Sequence, residues 1–168
     1  LKMFLDYQLN GIFYSTGDNG NQTQSALNAF GTLEAIDNWL FVDFSGQISQ
    51  QVINQFGQQS ASNIYNTGNT TQTQTYAVSP YIRGQLGGSA DYLLRYNASY
   101  TNSGSSEISN VTLSQWLGQI RGNTRFQNLN WAIDGSQQNT NYSQVGLFLP
   151  EQDYDDTRIR ALLIYKLS

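Results

Sequence analysis

The sequence predicts an all-β protein, an antiparallel up-and-down transmembrane β-barrel, on three observations. Apolar and polar residues alternate with a period of two over segments that mostly run to ten residues or more, longer than the five or six usual in soluble sheets. The strand charges fall on one side of that alternation. The connections alternate between very short and long, which is the pattern of outer-membrane barrels. The 168 residues fit a single domain, residues 1–168, with about eight strands.

The first strand, over residues 1–13, places Leu1, Met3, Leu5, Tyr7, Leu9, Gly11 and Phe13 on one face and Lys2, Asp6, Gln8 and Asn10 on the other. From Ser25 to Ile36, Leu27, Ala29, Gly31, Leu33 and Ala35 oppose Asn28, Thr32 and Glu34. Leu40, Val42, Phe44, Gly46 and Ile48 then oppose Asp43, Ser45, Gln47 and Ser49. From Thr75 to Leu86, Tyr76, Val78, Pro80, Ile82, Gly84 and Leu86 oppose Ser79, Arg83 and Gln85. From Ala90 onward, Tyr92, Leu94, Tyr96, Ala98 and Tyr100 oppose Asp91, Arg95, Asn97 and Ser99. The sixth strand, Thr112 to Phe126, is the poorest, with Trp116, Gly118, Ile120 and Phe126 against Gln115, Gln119, Arg121 and Arg125. The seventh sets Leu129, Trp131 and Ile133 against Asn130, Asp134 and Ser136. The eighth sets Ile159, Ala161, Leu163, Tyr165 and Leu167 against Arg158, Arg160 and Lys166.

On this phasing every basic residue lies on the polar face, together with Asp6, Glu34, Asp43, Asp91 and Asp134. Alternation alone does not separate a barrel from a soluble sandwich, whose apolar faces would form a core; the connections do. Asp37 and Asn38 make a two-residue turn that pairs 36 with 39 and so sets Thr32 against Asp43 and Asn28 against Gln47. A Gln127/Asn128 turn pairs Phe126 with Leu129 and sets Arg121 against Asp134. Gly87, Gly88 and Ser89 supply a third short connection with a left-handed residue and a bulge. The other connections are long and rich in Asn, Gln, Gly, Ser and Thr: after Tyr14, from Val52 to Gln72, around Gly104, and from Gln144 to Asp155. Trp39, Tyr92 and Phe126 by the turns and Tyr76, Tyr100 and Phe13 by the loops suit interfacial aromatic girdles.

Composition removes several chemistries. With no His and no Cys, the chain has no Ser/His/Asp triad, no imidazole base and none of the usual zinc or haem ligand sets, so an enzyme, a metal site and a cofactor are not expected. The net charge of −4 and the lack of a Lys/Arg cluster argue against nucleic acid. Charged residues make up 12%, about half the usual share, and Asn, Gln, Ser, Thr and Gly fill the gap. The opening LKMFLDYQLN alternates and lacks a cleavage site, so it does not read as a signal peptide.

The stretch WLFVDFSGQISQQVINQFG, followed by YAVSPYIRGQLGGSADYLLRYNASYT, resembles a family of outer-membrane β-barrels associated with PEP-CTERM/exosortase protein sorting and exopolysaccharide gene clusters. The segment from Trp116 to Trp131 and the strand DDTRIRALLIYKLS resemble it more loosely. The resemblance implies a barrel with strands before and after those seen here, and it carries over no catalytic or ligand residue. The chain ends Tyr165, Lys166, Leu167, Ser168, not in the Phe or Trp usual for assembly signals, so the expectation is a segment of a wider barrel.

The candidate functional set is the charge on the polar face: Arg83, Arg95, Arg121, Arg125, Arg158 and Arg160 with Asp43, Asp91 and Asp134. Arg83 and Arg95 are directly opposed or one diagonal step apart, so Asp43, Asp91, water or a passing anion must offset their repulsion. One reading is a lumen charge filter; the other is a salt-bridged interior that stiffens the barrel. The acidic run EQDYDD, with Glu151, Asp153, Asp155 and Asp156, lacks the spacing and glycine of a calcium loop and reads as a solvated loop. The Asn/Gln-rich tract from Gln50 to Gln74 reads as a polar loop before a sugar-binding one. The functional expectation is therefore a porin-like pore or export conduit in the bacterial outer membrane. Its partners would be membrane lipid and lipopolysaccharide, and its cargo polar or anionic solutes or exopolysaccharide. The alternative is a structural or adhesive barrel, and the oligomeric state stays open.

Overall fold

The structure, a computed structural model, describes residues 1–13, 22–57, 69–105, 108–122, 129–143 and 153–165. Eight strands form one antiparallel sheet in which each strand pairs with the next along the chain: β1 (Lys2–Ile12), β2 (Gln22–Ile36), β3 (Leu40–Val52), β4 (Thr70–Leu86), β5 (Ala90–Ser103), β6 (Asn110–Gly122), β7 (Leu129–Ser143) and β8 (Tyr154–Tyr165). There is no helix among the described residues. The sheet is open: β1 and β8 are its edges and do not pair with each other. The strands run further at their loop ends than alternation indicates, β4 starting at Thr70 and β7 continuing to Ser143. The added residues are Thr, Gln, Asn, Ser and Tyr, which keep the backbone ladder while losing the apolar signal that marks a strand in sequence.

The registers keep every expected face. Thr32 meets Asp43 and Asn28 meets Gln47. At the tip of that hairpin the pairing slips, and Ile36 meets Leu40 past a bulge between Glu34 and Ile36. Asn38 takes φ 56°, a left-handed conformation that Asn tolerates better than most residues. The Glu34 carboxylate accepts the Asn38 N–H at 2.6 Å, and the Trp39 N–H donates to the Ile36 carbonyl at 3.0 Å. In the next hairpin Gly87 and Gly88 have φ 56° and 70°, and the Ser89 N–H donates to the Leu86 carbonyl at 3.0 Å. Two successive left-handed residues make a primed turn whose twist matches that of the strands.

The β6–β7 register corrects the sequence reading. Arg121 pairs with Ala132 and Gln119 pairs with Asp134, so the ladder sits two residues from the one expected. A slip of two preserves the faces, because side chains alternate with a period of two. The Phe126/Leu129 turn that motivated the expected register falls on residues 123–128, outside the described ones.

The apolar face is built from glycine and aromatic pairs on neighbouring strands. Gly31 pairs with Phe44, Gly46 with Tyr76 and Gly84 with Tyr92, and in each pair the ring lies across the glycine. Gly122 has the Trp131 indole over it in the same way. A ring lying flat against the backbone shields the strand where glycine leaves it bare. At the turn end, Trp39 Nε1 donates to the Tyr92 hydroxyl at 2.8 Å, and further along the sheet Tyr76 pairs with Tyr100.

There is no interior core between layers. Among the described residues only Phe41 and Ala90 are buried apolar side chains, and no side chain is fully buried. Leu5, Leu9, Leu94, Trp116, Ile133, Ile159 and Leu163, all on the apolar face, are exposed, Ile159 by 82%. A Cβ at Gly31 would meet the Phe44 ring at 2.5 Å and the Lys2 carbonyl oxygen at 2.9 Å, whereas one at Gly135 meets nothing within 4 Å. Gly31→Ala is therefore expected to destabilise the sheet by about 1–3 kcal/mol. Gly135→Ala should be neutral or stabilising, since it only reduces the freedom of the unfolded chain. Chemical denaturation of the two variants under identical conditions checks the contrast.

Candidate functional site

The strand registers carry the candidate charges onto one face. Asp43 on β3, Arg83 on β4, Asp91 and Arg95 on β5, Arg121 on β6, Asp134 on β7 and Arg158 and Arg160 on β8 all project from the side opposite Leu40, Ile82, Leu94, Ile120, Ile133 and Ile159. Arg125 lies outside the described residues. Lys2 and Asp6 of β1 share the polar face.

Arg83 pairs across the ladder with Leu93, and Arg95 with Tyr81, so the two arginines are diagonal neighbours and not directly opposed. Their repulsion is offset by aromatic faces as well as by a carboxylate. The Arg83 guanidinium carbon stands 4.4 Å from the centre of the Phe41 ring, and that of Arg95 stands 4.1 Å from the centre of the Tyr81 ring. Phe41 and Tyr81 pair between β3 and β4 and stack on each other with centroids 5.1 Å apart. The result is a continuous pile of cation, ring, ring and cation. Arg95 Nη1 also donates to Asp43 Oδ2 at 2.9 Å, reaching across β4, and Asp43 Oδ1 accepts the Thr32 hydroxyl at 2.8 Å. Phe41, only 6% exposed, is one of the few buried apolar groups among the described residues, and it is buried by charged and aromatic neighbours on the polar face.

A second cluster centres on Asp134. Its Oδ2 accepts from Arg160 Nη2 at 2.8 Å and Nε at 3.2 Å, and its Oδ1 accepts from Gln119 Nε2 at 2.6 Å. The expected Arg121–Asp134 ion pair is not formed, because the register puts Gln119 and Arg160 directly beside that carboxylate. Arg158 pairs with Asp156 of its own strand at 2.7 Å. Between the clusters an amide ladder crosses β5, β6 and β7: Asn97 Nδ2 donates to Gln115 Oε1 at 2.9 Å, Gln115 Nε2 to Gln138 Oε1 at 3.4 Å, and Gln138 Nε2 to the Thr140 hydroxyl at 3.2 Å. Among the described residues Arg83, Arg121 and Asp91 form no ion pair.

The acidic run is not a loop throughout. Asp155 and Asp156 belong to β8 and project to opposite faces, Asp155 accepting from Asn139 Nδ2 at 2.6 Å. Carboxylates divided between two faces cannot close on one cation, and the described residues contain no group of three or more potential metal ligands. Glu151 lies outside the described residues, as do residues 58–68 of the Asn/Gln-rich tract. The ends of that tract are strand and not loop, Gln50–Val52 of β3 pairing with Thr70–Gln72 of β4, and just beyond them the Asn54 N–H donates to Asn69 Oδ1 at 2.8 Å and Asn69 Nδ2 donates to the Asn54 carbonyl at 2.8 Å.

Sequence reading missed Phe41 and Tyr81, and also Phe4 and Phe30, which stack at 5.1 Å on the same polar face. The signal was present: all four are aromatic residues in the polar phase of their strands. No family model, curated protein or solved structure matches the chain.

The Arg95 and Asp43 side chains retain 27% and 32% of their exposure, so their pairing is partly shielded from water, whereas Arg158 keeps 74%. A double-mutant cycle on Asp43→Asn and Arg95→Gln should give a coupling of about 1 kcal/mol, while Asp156→Asn with Arg158→Gln should give none that is measurable.

Proposed function

We propose that the chain forms part of a bacterial outer-membrane β-barrel, with the apolar face toward lipid and the polar face toward an aqueous lumen, and that it serves as a porin-like pore or conduit for polar or anionic solutes. One observation carries this reading: the sheet has a face of exposed Leu, Ile, Val, Tyr and Trp side chains and, in the described residues, nothing packed against it. A sheet in water buries such a face against a second layer. Lipid covers it without one.

Dimensions agree with the reading. The outward positions from Tyr76 to Leu86 on β4 span about 33 Å along the strand at roughly 3.3 Å per residue. At a tilt of about 40° this is roughly 25 Å across the membrane, the height of the apolar band of such barrels. Tyr76 and Tyr100 stand at one border of that band, and the hydrogen-bonded Trp39 and Tyr92 at the other. Beyond the tyrosines the same face turns polar: Gln72 accepts the Ser25 hydroxyl at 2.9 Å, and Gln74 accepts the Tyr76 hydroxyl at 3.3 Å.

The polar face favours a second reading at one place. The stacked Arg83, Phe41, Tyr81 and Arg95 side chains with Asp43 are a packed wall, as a structural or adhesive barrel with a filled interior would need. Exopolysaccharide as the cargo rests on the family resemblance alone.

Two measurements test the proposal. Identical substitutions at consecutive residues probe the faces: Leu94→Arg, on the apolar side, should cost about 2–4 kcal/mol near the bilayer midplane and deplete the protein from the outer-membrane fraction. Leu93→Arg, on the polar side, should keep the protein in the outer-membrane fraction and cost less than Leu94→Arg, the remaining cost being repulsion from Arg83 directly opposite. Planar-bilayer recording on the full-length protein should show discrete conductance steps. A folded, membrane-inserted protein without conductance would select the structural barrel.

A further inference from the structure

The charge on the polar face is not a uniform positive strip. Arg95 is taken up by Asp43, Arg160 by Asp134 and Arg158 by Asp156. Arg83 and Arg121 make no ion pair among the described residues, and both line one open cavity of about 500 Å3 at the short-turn end of the sheet. Leu93, Gln85, Gln119 and Asp91 line the same cavity. The registers set the two at diagonal corners of this cavity. Arg83, Leu93 and Gln119 follow one another across β4, β5 and β6, and Gln85, Asp91 and Arg121 do the same one step nearer the turn. The two arginines are thus two strands apart and offset by two residues, which puts their Cα atoms about 12 Å apart by sheet geometry.

We propose that Arg83 and Arg121 form an oxyanion subsite, taking a carboxylate, phosphate or sulfate group, either as a free ion or as the acidic group of a larger polar solute. The guanidinium is the side chain best matched to such groups, since its N–H donors form a planar fork. Stacking on Phe41 of β3 holds the Arg83 guanidinium at the wall of the cavity away from β6, so Arg83 and Arg121 meet a ligand from opposite sides, and fixing the Arg83 plane beforehand reduces the entropy lost on binding. Asp91 sets the sign. It stands opposite Arg121 without an ion pair, so two guanidiniums and one carboxylate leave one net positive charge for an anion and an unfavourable balance for a cation. The Gln85 amide offers both a donor and an acceptor, and Gln119, whose Nε2 donates to Asp134, adds its amide oxygen as an acceptor, which suits a hydroxylated neighbour of the acidic group.

The subsite rests on the reading of the polar face as a lumen, but binding is measurable without conduction. The full-length protein in detergent micelles, with its arginine Nε–H groups observed by NMR, is titrated with sodium sulfate and separately with sodium glucuronate at constant ionic strength. The expected result is saturable shifts of Arg83 and Arg121 with a common millimolar constant, and none at Arg160. Arg83→Gln or Arg121→Gln should weaken that constant at least tenfold, and Arg158→Gln should leave it unchanged. Saturation by sulfate alone would assign the site to free inorganic anions, and tighter binding of glucuronate would assign it to acidic sugars. Shifts that do not saturate, or that affect all arginines alike, would overturn the subsite. Recording the same variants in bilayers separates the two proposals. Binding without conductance removes the pore and keeps the subsite, whereas conductance with no saturable shift at Arg83 and Arg121 removes the subsite and keeps the pore.

Discussion

The structure depends on a sheet that has two faces and only one layer. Hydrophobic burial normally comes from packing one element on another, and it is the dominant favourable term in folding. Here the backbone ladder joins all eight strands, yet only Phe41 and Ala90 are buried apolar residues among those described. The stabilisation that a core supplies must come from whatever covers the apolar face. That requirement explains the composition of the face. Glycines lie under aromatic rings at Gly31/Phe44, Gly84/Tyr92 and Gly122/Trp131, so the surface is smooth and the backbone shielded even where side chains are missing.

The opposite face solves a different problem, which is how to hold many arginines on a low-charge scaffold. Acids outnumber bases twelve to eight over the chain, yet not every arginine of the polar face has one beside it, because acids such as Asp37 in a turn and Asp155 on the opposite face lie away from it. Two devices compensate. Carboxylates serve more than one donor: Asp43 takes Thr32 and Arg95, and Asp134 takes Gln119 and Arg160. Aromatic rings hold two of the guanidiniums, with Phe41 under Arg83 and Tyr81 under Arg95. A ring quadrupole attracts a cation without adding a charge of its own, so two neighbouring arginines can sit one diagonal step apart without a second acid.

The all-β class, the strand count and the division of the charges between faces were all legible in the sequence, because a period of two is a direct consequence of backbone geometry. Thr32 does stand opposite Asp43 as read, although Ile36 pairs with Leu40 and not with Trp39, and the bulge between Glu34 and Ile36 restores the register. Three things were not legible. The loop ends of β4 and β7 are polar on both faces, so nothing in their residue types distinguishes strand from loop. The β6–β7 register differs by two from the expected one, and hydrophobic alternation is blind to an even slip because both registers keep the faces. Phe41 and Tyr81 were passed over because a search for function by charge ignores the uncharged groups between the charges, although their place in the polar phase set them apart.

The edges give the membrane reading its strictest condition. β1 and β8 run 11 and 12 residues with one side of each ladder unpaired, and nearly every residue in both strands is exposed. In water such edges invite association with other strands. In the hydrocarbon of a bilayer each unpaired N–H or C=O costs several kcal/mol, so the condition becomes absolute: a spanning strand is paired on both sides. The apolar exterior and the unpaired edges therefore belong to one argument, since lipid can cover the first but never satisfy the second. Whatever strands meet these edges, whether each other or others, must do so with the faces continuous. Leu5 and Leu9 on β1, and Ile159 and Leu163 on β8, must continue the lipid side, and Asp6 and Arg160 the aqueous side. Parity allows only every second register at each seam, so the same alternation that identifies the strands also restricts how the sheet can be completed.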